Sequence, residues 1–445
     1  MTRSLFVFQL ALGITISFSG LSLETLPKPP VLRPGTTVSL KEAIQEAEKN
    51  NRNLKAVEVN LTIAAERYRS SGAVLLPTLH AGLGYTLYDR ALKRTDDNGQ
   101  TIEVRPRHEA GVSLTARMTL VGPSSWLTFQ AARLEREISG LDFEQARQLL
   151  LYTVAEIYYQ ASTAERLIRV YRDQARAIER HLTEATNRYR SGVGELMDVK
   201  RAETDLVSVR EAQASAIFAL EDIRDTLALL LARDTLPLPA AEPEPVPFWH
   251  LSPEEEEQPP VDSRWELQIA RRKLSLEKKK LQAQYSRLAP ELETFFQYDL
   301  NLIPPPDASE DRSTWFAGLQ LTVPLFDFKI FPEIRYFRAT SLQAELELFD
   351  KRAKVETESR HAIRLIRQAE YYVETAKTKA RLADITLELA RIAYKNGTAT
   401  ALMVIDAQRS SQTAHVDYET RRLEWELGKL AYLRSIGQDA MLLGD

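Results

Sequence analysis

The chain has 445 residues, with 58 Lys or Arg, 62 Asp or Glu, a formal net charge of −4 and no cysteine. This balance gives no support to nucleic-acid binding, which needs a clustered basic excess. The lack of cysteine excludes disulfides, thiolate metal sites, cysteine nucleophiles and a lipidated N-terminal cysteine. A chain of this length is expected to form two units or one large one.

The first residues predict a secretory signal peptide, residues 1–19. Arg3 precedes the apolar run 5–16, and the small residues Ser17 and Ser19 follow at positions suited to cleavage. A disordered or membrane-anchoring N-terminus is the alternative, but the run is shorter than the ~20 apolar residues that span a bilayer. We therefore expect the mature protein to leave the cytoplasm.

Long stretches without proline predict helices, because proline lacks an N–H and clashes with the preceding helical turn. Within these stretches apolar residues recur at steps of three and four, which is typical of coiled coils. One such series is Leu382, Ile385, Leu389 and Ile392. We predict a first helix in each half of the chain and long helices at about 125–190, 195–233, 332–395 and 400–436.

Between the helices the apolar period changes to two, which predicts strands at about 77–88, 109–121, 291–302 and 314–325. Each segment is about ten residues long, the length of a transmembrane β-strand. A half-buried soluble hairpin is the alternative. The membrane interpretation is favoured because the flanking coiled coils already use their apolar seams on each other. Polar connectors, 89–108 and 303–313, join the strands of each pair.

The chain repeats itself. The segment "YRSGVGELMDVKRAE" from Tyr189 aligns without a gap on "YKNGTATALMVIDAQ" from Tyr394, at a shift of 205 positions. Gly192 falls on Gly397, and both predict junctions between the helices of a hairpin, where a left-handed residue is common. The interpretation that these junctions are only turns remains open.

The repeat extends over both halves of the chain, residues 20–236 and 263–445. Pro77 and Pro290 mark equivalent helix-to-strand transitions. The connector 237–262 is rich in proline and glutamate and is predicted to be extended and solvated. Its acidic run Glu254–Glu257 is interpreted as a solvated stretch and not as a metal site.

Four strands cannot close a barrel, and an open sheet edge in lipid leaves backbone groups without hydrogen bonds. Small outer-membrane barrels begin at eight strands, so copies of the chain must pool their strands. Two copies give eight strands and three give twelve, and larger barrels open a lumen. The pattern alone leaves the number of copies open.

Three features carry a resemblance to a known family: the order of the elements, the doubled glycine junction, and the first-helix stretch "LKEAIQEAEKNNRNLKAVEVNLTIAAERYRSSGAVLLPTL". In these features the chain resembles the TolC-type outer-membrane efflux protein family, over nearly all of its mature length. The resemblance implies a mostly α fold with a membrane β contribution. Three copies would form a 12-stranded β-barrel continued by a long α-helical, coiled-coil barrel. The implied location is the outer membrane of a Gram-negative bacterium, with the helices in the periplasm.

The resemblance also implies the function, a channel-tunnel of a tripartite efflux or type I secretion system. The implied partners are further copies in a homotrimer, a periplasmic adaptor, an inner-membrane transporter and outer-membrane lipid, with no nucleic acid and no cofactor. The transported substrate stays undetermined. A periplasmic coiled-coil stalk or adhesin without a channel is the alternative, and it leaves the four amphipathic strands without a role.

A gate at the periplasmic end of the helices is implied as well. Asp406 stands where the family can carry an acidic ring, although Met403 replaces a second acidic position. A ring of like charges at a narrow mouth attracts cations. A solvated surface carboxylate is the other interpretation of Asp406.

In the family, a tyrosine and an arginine near the second junction, here at Gly397, can bond to an aspartate near the first junction, here at Gly192. Tyr394 and Asp198 match two of these positions, and Ala399 stands at the arginine position. Arg201 or Lys395 are candidates for a substitute cation. The closing contacts are therefore expected to differ from the family pattern.

An enzyme is not expected from this sequence. It has no glycine-rich phosphate loop, His-Glu-x-x-His pair or Gly-x-Ser-x-Gly elbow. The pairs His181 with Glu184 and His415 with Asp417 are interpreted as surface residues of helices. We accordingly expect no catalytic residue and no bound metal.

Overall fold

A computed structural model describes residues 26–95, 99, 101–240, 242–247, 260–303 and 312–439. The predicted signal peptide and the acidic run Glu254–Glu257 lie outside the described residues. None of the described helices is long and apolar enough to cross a membrane.

The chain divides into two compact units. We call the first the helical unit; it comprises the segments Met1–Pro34, Ala161–Ile223 and Ala376–Thr420. The second, the sheet-bearing unit, comprises Gly35–Gln160, Arg224–Thr375 and Arg421–Asp445.

The helices are α1 Leu40–Asn50, α2 Arg52–Ala73, α3 Pro123–Arg190, α4 Leu196–Leu231, α5 Trp265–Ser286, α6 Ile330–Lys395 and α7 Ala401–Ser435. The strands are β1 Thr36–Val38, β2 Thr78–Leu87, β3 Leu92–Thr95, β4 Thr101–Arg105, β5 His108–Val121, β6 Pro237–Pro239, β7 Glu291–Asn301 and β8 Ser313–Thr322. Pro77 and Pro290 each immediately precede a strand, β2 and β7 respectively, a few residues after a helix ends.

The first helical stretch contains a break that apolar spacing does not reveal. Ser39 and Glu42 form a capping box that starts α1. Asn51 then caps α2, accepting from the Leu54 amide at 3.0 Å, and its side-chain amide donates to the Leu230 carbonyl at 2.9 Å. The backbone of Asn51, with φ −58° and ψ 123°, is not helical, so α1 ends and α2 begins at this residue.

The four long strands form one antiparallel sheet in the order β2-β5-β7-β8. Cross-strand partners such as Leu83 with Val112, and Tyr298 with Trp315, share a face because directly opposed side chains point to the same side. Apolar side chains fill that face, and mostly polar or small ones fill the other. The segments whose alternation predicted strands are the four strands of this sheet.

The connector predicted over 89–108 is not simply a polar loop. Within it β3 and β4 pair as an antiparallel hairpin, and the Arg105 guanidinium lies 3.8 Å from the centre of the Tyr88 ring. These strands are too short for a period of two to be recognised in the sequence.

The first residues of the connector 237–262 are extended, as predicted, but the prediction that they are solvated is wrong. Strand β6 pairs in parallel with β1, and both Pro237 and Pro239 are buried. Arg224 of α4 is fully buried and donates to the Pro237 carbonyl at 2.9 Å. The Tyr158 hydroxyl donates to the Val38 carbonyl at 3.1 Å, which fixes β1 to α3. Pairing and burial, rather than composition, therefore decide the conformation of this stretch.

Packing in the helical unit follows the coiled-coil spacing. Buried residues of α3 and α4 form one apolar cluster, made of Ala175, Ile178, Leu182, Ala185, Val199, Ala202, Leu206 and Val209. The seam is narrow, so most of the remaining surface of these helices is free for polar contacts.

Candidate functional site

The candidate site lies in the helical unit, around the two glycine junctions. Gly192 has φ +75° and Gly397 has φ +74°, the left-handed conformation in which a Cβ is strained. The Val193 amide donates to the Arg188 carbonyl at 3.0 Å, and the Thr398 amide donates to the Ala393 carbonyl at 2.9 Å. Both hairpins therefore end their first helix with the same left-handed cap.

The repeat holds beyond the glycines. Val199 and Val404 are both buried, as are Ala202 and Ala407. These residues anchor the second helix of each hairpin, so the two junctions are built alike. The two junctions differ in the side-chain contacts that they make near the ends of their helices.

Tyr394 contacts Arg188, a residue that the sequence analysis did not identify as part of the site. The Arg188 guanidinium donates to the Tyr394 hydroxyl and lies 5.1 Å from the centre of its ring. Arg188 belongs to α3 and Tyr394 to α6, so this contact joins the two hairpins. No repeat signal marks Arg188, because the equivalent position in the second half is Ala393.

Within this chain, the contacts of Tyr394 differ from the pairing that the family resemblance implies. Asp198, in the first turn of α4, has no hydrogen bond or ion pair to a side chain within the described part of the chain. The cation on Tyr394 is also neither Arg201 nor Lys395. The cation that contacts Tyr394 is Arg188, which lies on the opposite hairpin.

Two further contacts join the hairpins. Arg409 of α7 forms an ion pair with Asp205 of α4, and the bond to this carboxylate raises the pKa of Arg409 above its ordinary value. The buried Arg166 of α3 pairs with Glu419 of α7 at 2.6 Å. Pairs of this kind favour one geometry, because breaking a buried pair leaves an uncompensated charge.

Asp406 lies one turn before Arg409 and is exposed. It adds to the negative potential that raises the pKa of Arg409. Met403, three residues earlier, is exposed as well. At the junction end, this face of α7 therefore presents the Asp406 carboxylate beside the apolar Met403.

A cleft of about 640 Å³ opens between the two hairpins behind the junctions. Gln174 and His181 of α3 line it, and the Gln174 amide and the His181 Nε2 are buried without a partner in the described residues. His415 bonds to Asp384 at 3.0 Å, and not to Asp417. Within the described chain no three His, Asp or Glu residues are grouped to hold a metal ion.

Residues 43–233 match the family model of outer membrane efflux proteins. The outer membrane protein TolC of Salmonella enteritidis is 26% identical over 175 residues, which make up 39% of this chain and 34% of that protein. The chain thus spans about a third of the length of the curated relatives it matches.

Solved structures resemble the chain over most of its length. A membrane protein from Pseudomonas aeruginosa has a TM-score of 0.77 at 18% identity, covering 93% of this chain and 97% of the other. The open state of the Neisseria gonorrhoeae MtrE outer membrane channel has a TM-score of 0.73 at 18% identity, covering 93% and 98%. Likeness at this identity shows the fold, a mostly helical chain with a small sheet.

The family model and the TolC relatives confirm the resemblance to TolC-type outer membrane efflux proteins that was seen in the sequence. The predicted localisation in the outer membrane is confirmed by the same matches.

Proposed function

We propose that the protein is the outer-membrane channel-tunnel of a tripartite efflux or type I secretion system and works as a homotrimer. In this proposal three copies pool their sheets into a 12-stranded barrel. The helices form the periplasmic passage. Substrates enter from an inner-membrane transporter through a periplasmic adaptor and leave to the exterior.

The sheet is the observation that carries this proposal. Its apolar face is exposed in the single chain: Leu83 is 78% exposed, Trp315 68% and Leu319 67%. The edge strands β2 and β8 have one neighbour each, which leaves a row of backbone groups without a partner in the sheet. Sheets shared between copies satisfy these edges, and lipid covers the apolar face.

The junction end suits a gate. Arg188 with Tyr394, and Asp205 with Arg409, hold the two hairpins together by contacts that can exchange for water. Three copies of the exposed Asp406 would place like charges around a narrow mouth, which concentrates cations. Opening would separate the hairpins, with the adaptor biasing the equilibrium between the two states.

The alternative, a coiled-coil stalk without a channel, uses the same helices. It provides no role for a continuous apolar sheet face or for the exposed Asp406 carboxylate at the junction end. The family match also favours the channel.

Ion selectivity tests the proposal. Purified protein in a planar lipid bilayer should give discrete, cation-selective current steps. The variant Asp406→Asn should lose most of the selectivity, while Glu184→Gln, which neutralises an exposed carboxylate of α3, should keep it. Protein that inserts into the bilayer but conducts no current would overturn the channel, and equal selectivity in both variants would overturn the gate.

A further inference from the structure

The cleft between the two hairpins contains buried polar atoms that lack hydrogen bonds. Gln174 of α3 is 7% exposed, and both the nitrogen and the oxygen of its side-chain amide are buried without a partner among the described residues. His181, two turns nearer the junctions, has a buried Nε2 in the same condition. Both side chains line the cleft. Buried polar groups are normally hydrogen-bonded, so this wall of the cleft is suited to a ligand that supplies the partners.

The charges that line the cleft favour an anion. Asp205 and Arg409 neutralise each other as the ion pair described above. Three more cations line the cleft, Arg180, Arg391 and Lys395, and in the part of the chain that the structure describes none of them pairs with a carboxylate. Against these three stands one further carboxylate, Glu184, which leaves two positive charges in excess. Such an excess in a concave site attracts negatively charged ligands.

The cleft is elongated. Its volume of about 640 Å³ lies in the range of small-molecule sites, about 300–1,000 Å³. Gln174 lies 14 residues before Arg188 on α3, and Arg391 lies three residues before Tyr394 on α6. Because Arg188 contacts Tyr394 and both helices run toward the junctions, Gln174 and Arg391 are offset by about 11 residues, on the order of 16 Å.

We infer that this cleft binds a sugar acid of two sugar units. Its carboxylate lies at Arg391 and Lys395, where charge-assisted hydrogen bonds form. Its hydroxyl groups extend along α3 past His181 to Gln174. A hydroxyl group both donates and accepts, so it can bond to the imidazole Nε2 and to either atom of the Gln174 amide. The inference concerns a single chain and does not depend on the proposed channel.

The remaining walls of the cleft suit a sugar as well. Ile178 and Val209 are buried apolar residues on opposite helices of the first hairpin, and they can cover the C–H faces of sugar rings. Gln412 lines the cleft with an amide to which no described residue bonds. The Ser208 hydroxyl donates to a backbone carbonyl at 3.1 Å, so its oxygen can still accept a hydrogen bond.

Other classes of ligand fit less well. An apolar ligand would leave the Gln174 amide and the His181 Nε2 buried and unpaired, which costs free energy. A cation would meet the excess of positive charge. A single inorganic anion is too short to reach both Arg391 and Gln174.

Isothermal titration calorimetry of the purified full-length protein in detergent, at constant ionic strength, tests the inference. Lactobionate, a two-unit sugar acid, should bind once per chain. Lactose, which has two units and no charge, and gluconate, which has the carboxylate and one unit, should each bind at least about tenfold more weakly. Lactobionate that shows no saturable binding up to ~10 mM, or lactose that binds as tightly, would overturn the inference.

A substitution at the distant end of the cleft tests the placement of the ligand. Gln174→Leu should lower the affinity for lactobionate about five- to tenfold and leave that for gluconate unchanged, because gluconate does not reach Gln174. Unchanged gluconate binding also shows that the variant is folded. The control Gln213→Leu replaces a buried glutamine of α4 outside the cleft and should change neither affinity. Equal losses in the two variants would contradict the placement.

A substitution at the cationic end should act on both ligands. Lys395→Gln should lower the affinities for lactobionate and for gluconate about three- to tenfold. Arg190→Gln removes a basic residue from the last turn of α3, outside the cleft, and should leave both affinities as they are. Equal effects of these two variants would show that net charge, and not a site in the cleft, holds the ligand. Binding is counted per chain and needs no current, so its failure leaves the proposed channel untouched.

Discussion

A single contact, between Arg188 and Tyr394, joins the two hairpins at the junction end, where the proposed gate lies. The guanidinium donates to the hydroxyl and also faces the ring, so one side chain supplies a hydrogen bond and a cation–π contact. Together these contribute about 1–2 kcal/mol at a partly exposed site. That is enough to shift a balanced equilibrium by an order of magnitude.

Removing this contact should favour the open state. We expect Arg188→Ala to raise the open probability in a planar bilayer about five- to thirtyfold, from a loss of about 1–2 kcal/mol. Arg190→Ala, which removes an exposed arginine from the same last turn of α3, is the control and should change little. Equal effects of the two variants would mean that net charge, and not the Tyr394 contact, governs opening.

A buried ion pair in the sheet-bearing unit makes a second prediction. Lys429 is 2% exposed, donates to both carboxylate oxygens of Glu426 at 2.9 Å and lies 3.7 Å from the Trp425 ring centre. We expect Glu426→Gln to cost about 3–5 kcal/mol of the free energy of unfolding, because it leaves a buried cation. Glu424→Gln, at an exposed carboxylate, should cost under about 0.5 kcal/mol. Chemical denaturation measures both, and equal losses would show that the buried pair has no special weight.

The same pair makes stability depend on pH. Burial lowers the pKa of Lys429 from its ordinary value of 10.5. The folded state therefore releases this proton more readily than the unfolded state does. The contribution of Lys429 to stability should rise as pH increases from the lowered pKa toward 10.5, and should be flat below it.

The candidate site was only partly accessible from the sequence. Gly192 and Gly397 could be identified because a repeat places them at equivalent positions, and a left-handed cap has a local residue preference. Arg188 could not, because its partner lies on another hairpin and the repeat has Ala393 at the matching position. Pairings between hairpins depend on tertiary packing, which apolar spacing does not specify.

At the scale of elements, the long strands and helices were predictable and the short ones were not. Alternation sustained over ten residues, as in β8, is a strong strand signal, whereas β6 has three residues, two of them proline. The pairing of β6 with β1 depends on burial and on the Arg224 bond to Pro237. The hairpin of β3 and β4 likewise lacks a long pattern.

The sheet should tolerate charge on one face and not on the other. Leu319 and Gln320 are neighbours in β8 with side chains on opposite faces, and both are exposed in the single chain. If the face of Leu319 meets lipid near the membrane centre, Leu319→Arg should cost about 2–4 kcal/mol in the membrane.

The control Gln320→Arg faces the other side and should assemble normally. The amount of each variant recovered in the outer membrane, relative to the parent protein, is the measurement. Normal recovery of Leu319→Arg would show that this face does not contact lipid.

In the proposed channel, neighbouring copies of the chain cover the sheet edges and the apolar helix surface that a single chain leaves exposed. The sheet has two free edges, and an apolar series of α6 is exposed in the single chain, made of Leu382, Ile385, Leu389 and Ile392. Both features call for neighbours rather than for further folding. The number of neighbours follows from the curvature at which copies close, which no local pattern in the sequence encodes.

The most direct measurement is the native mass of the full-length protein extracted from the outer membrane in detergent. We predict particles of three chains that need detergent to stay in solution. A single chain that is stable in water, with the apolar face of its sheet covered by its own helices, would contradict the shared barrel.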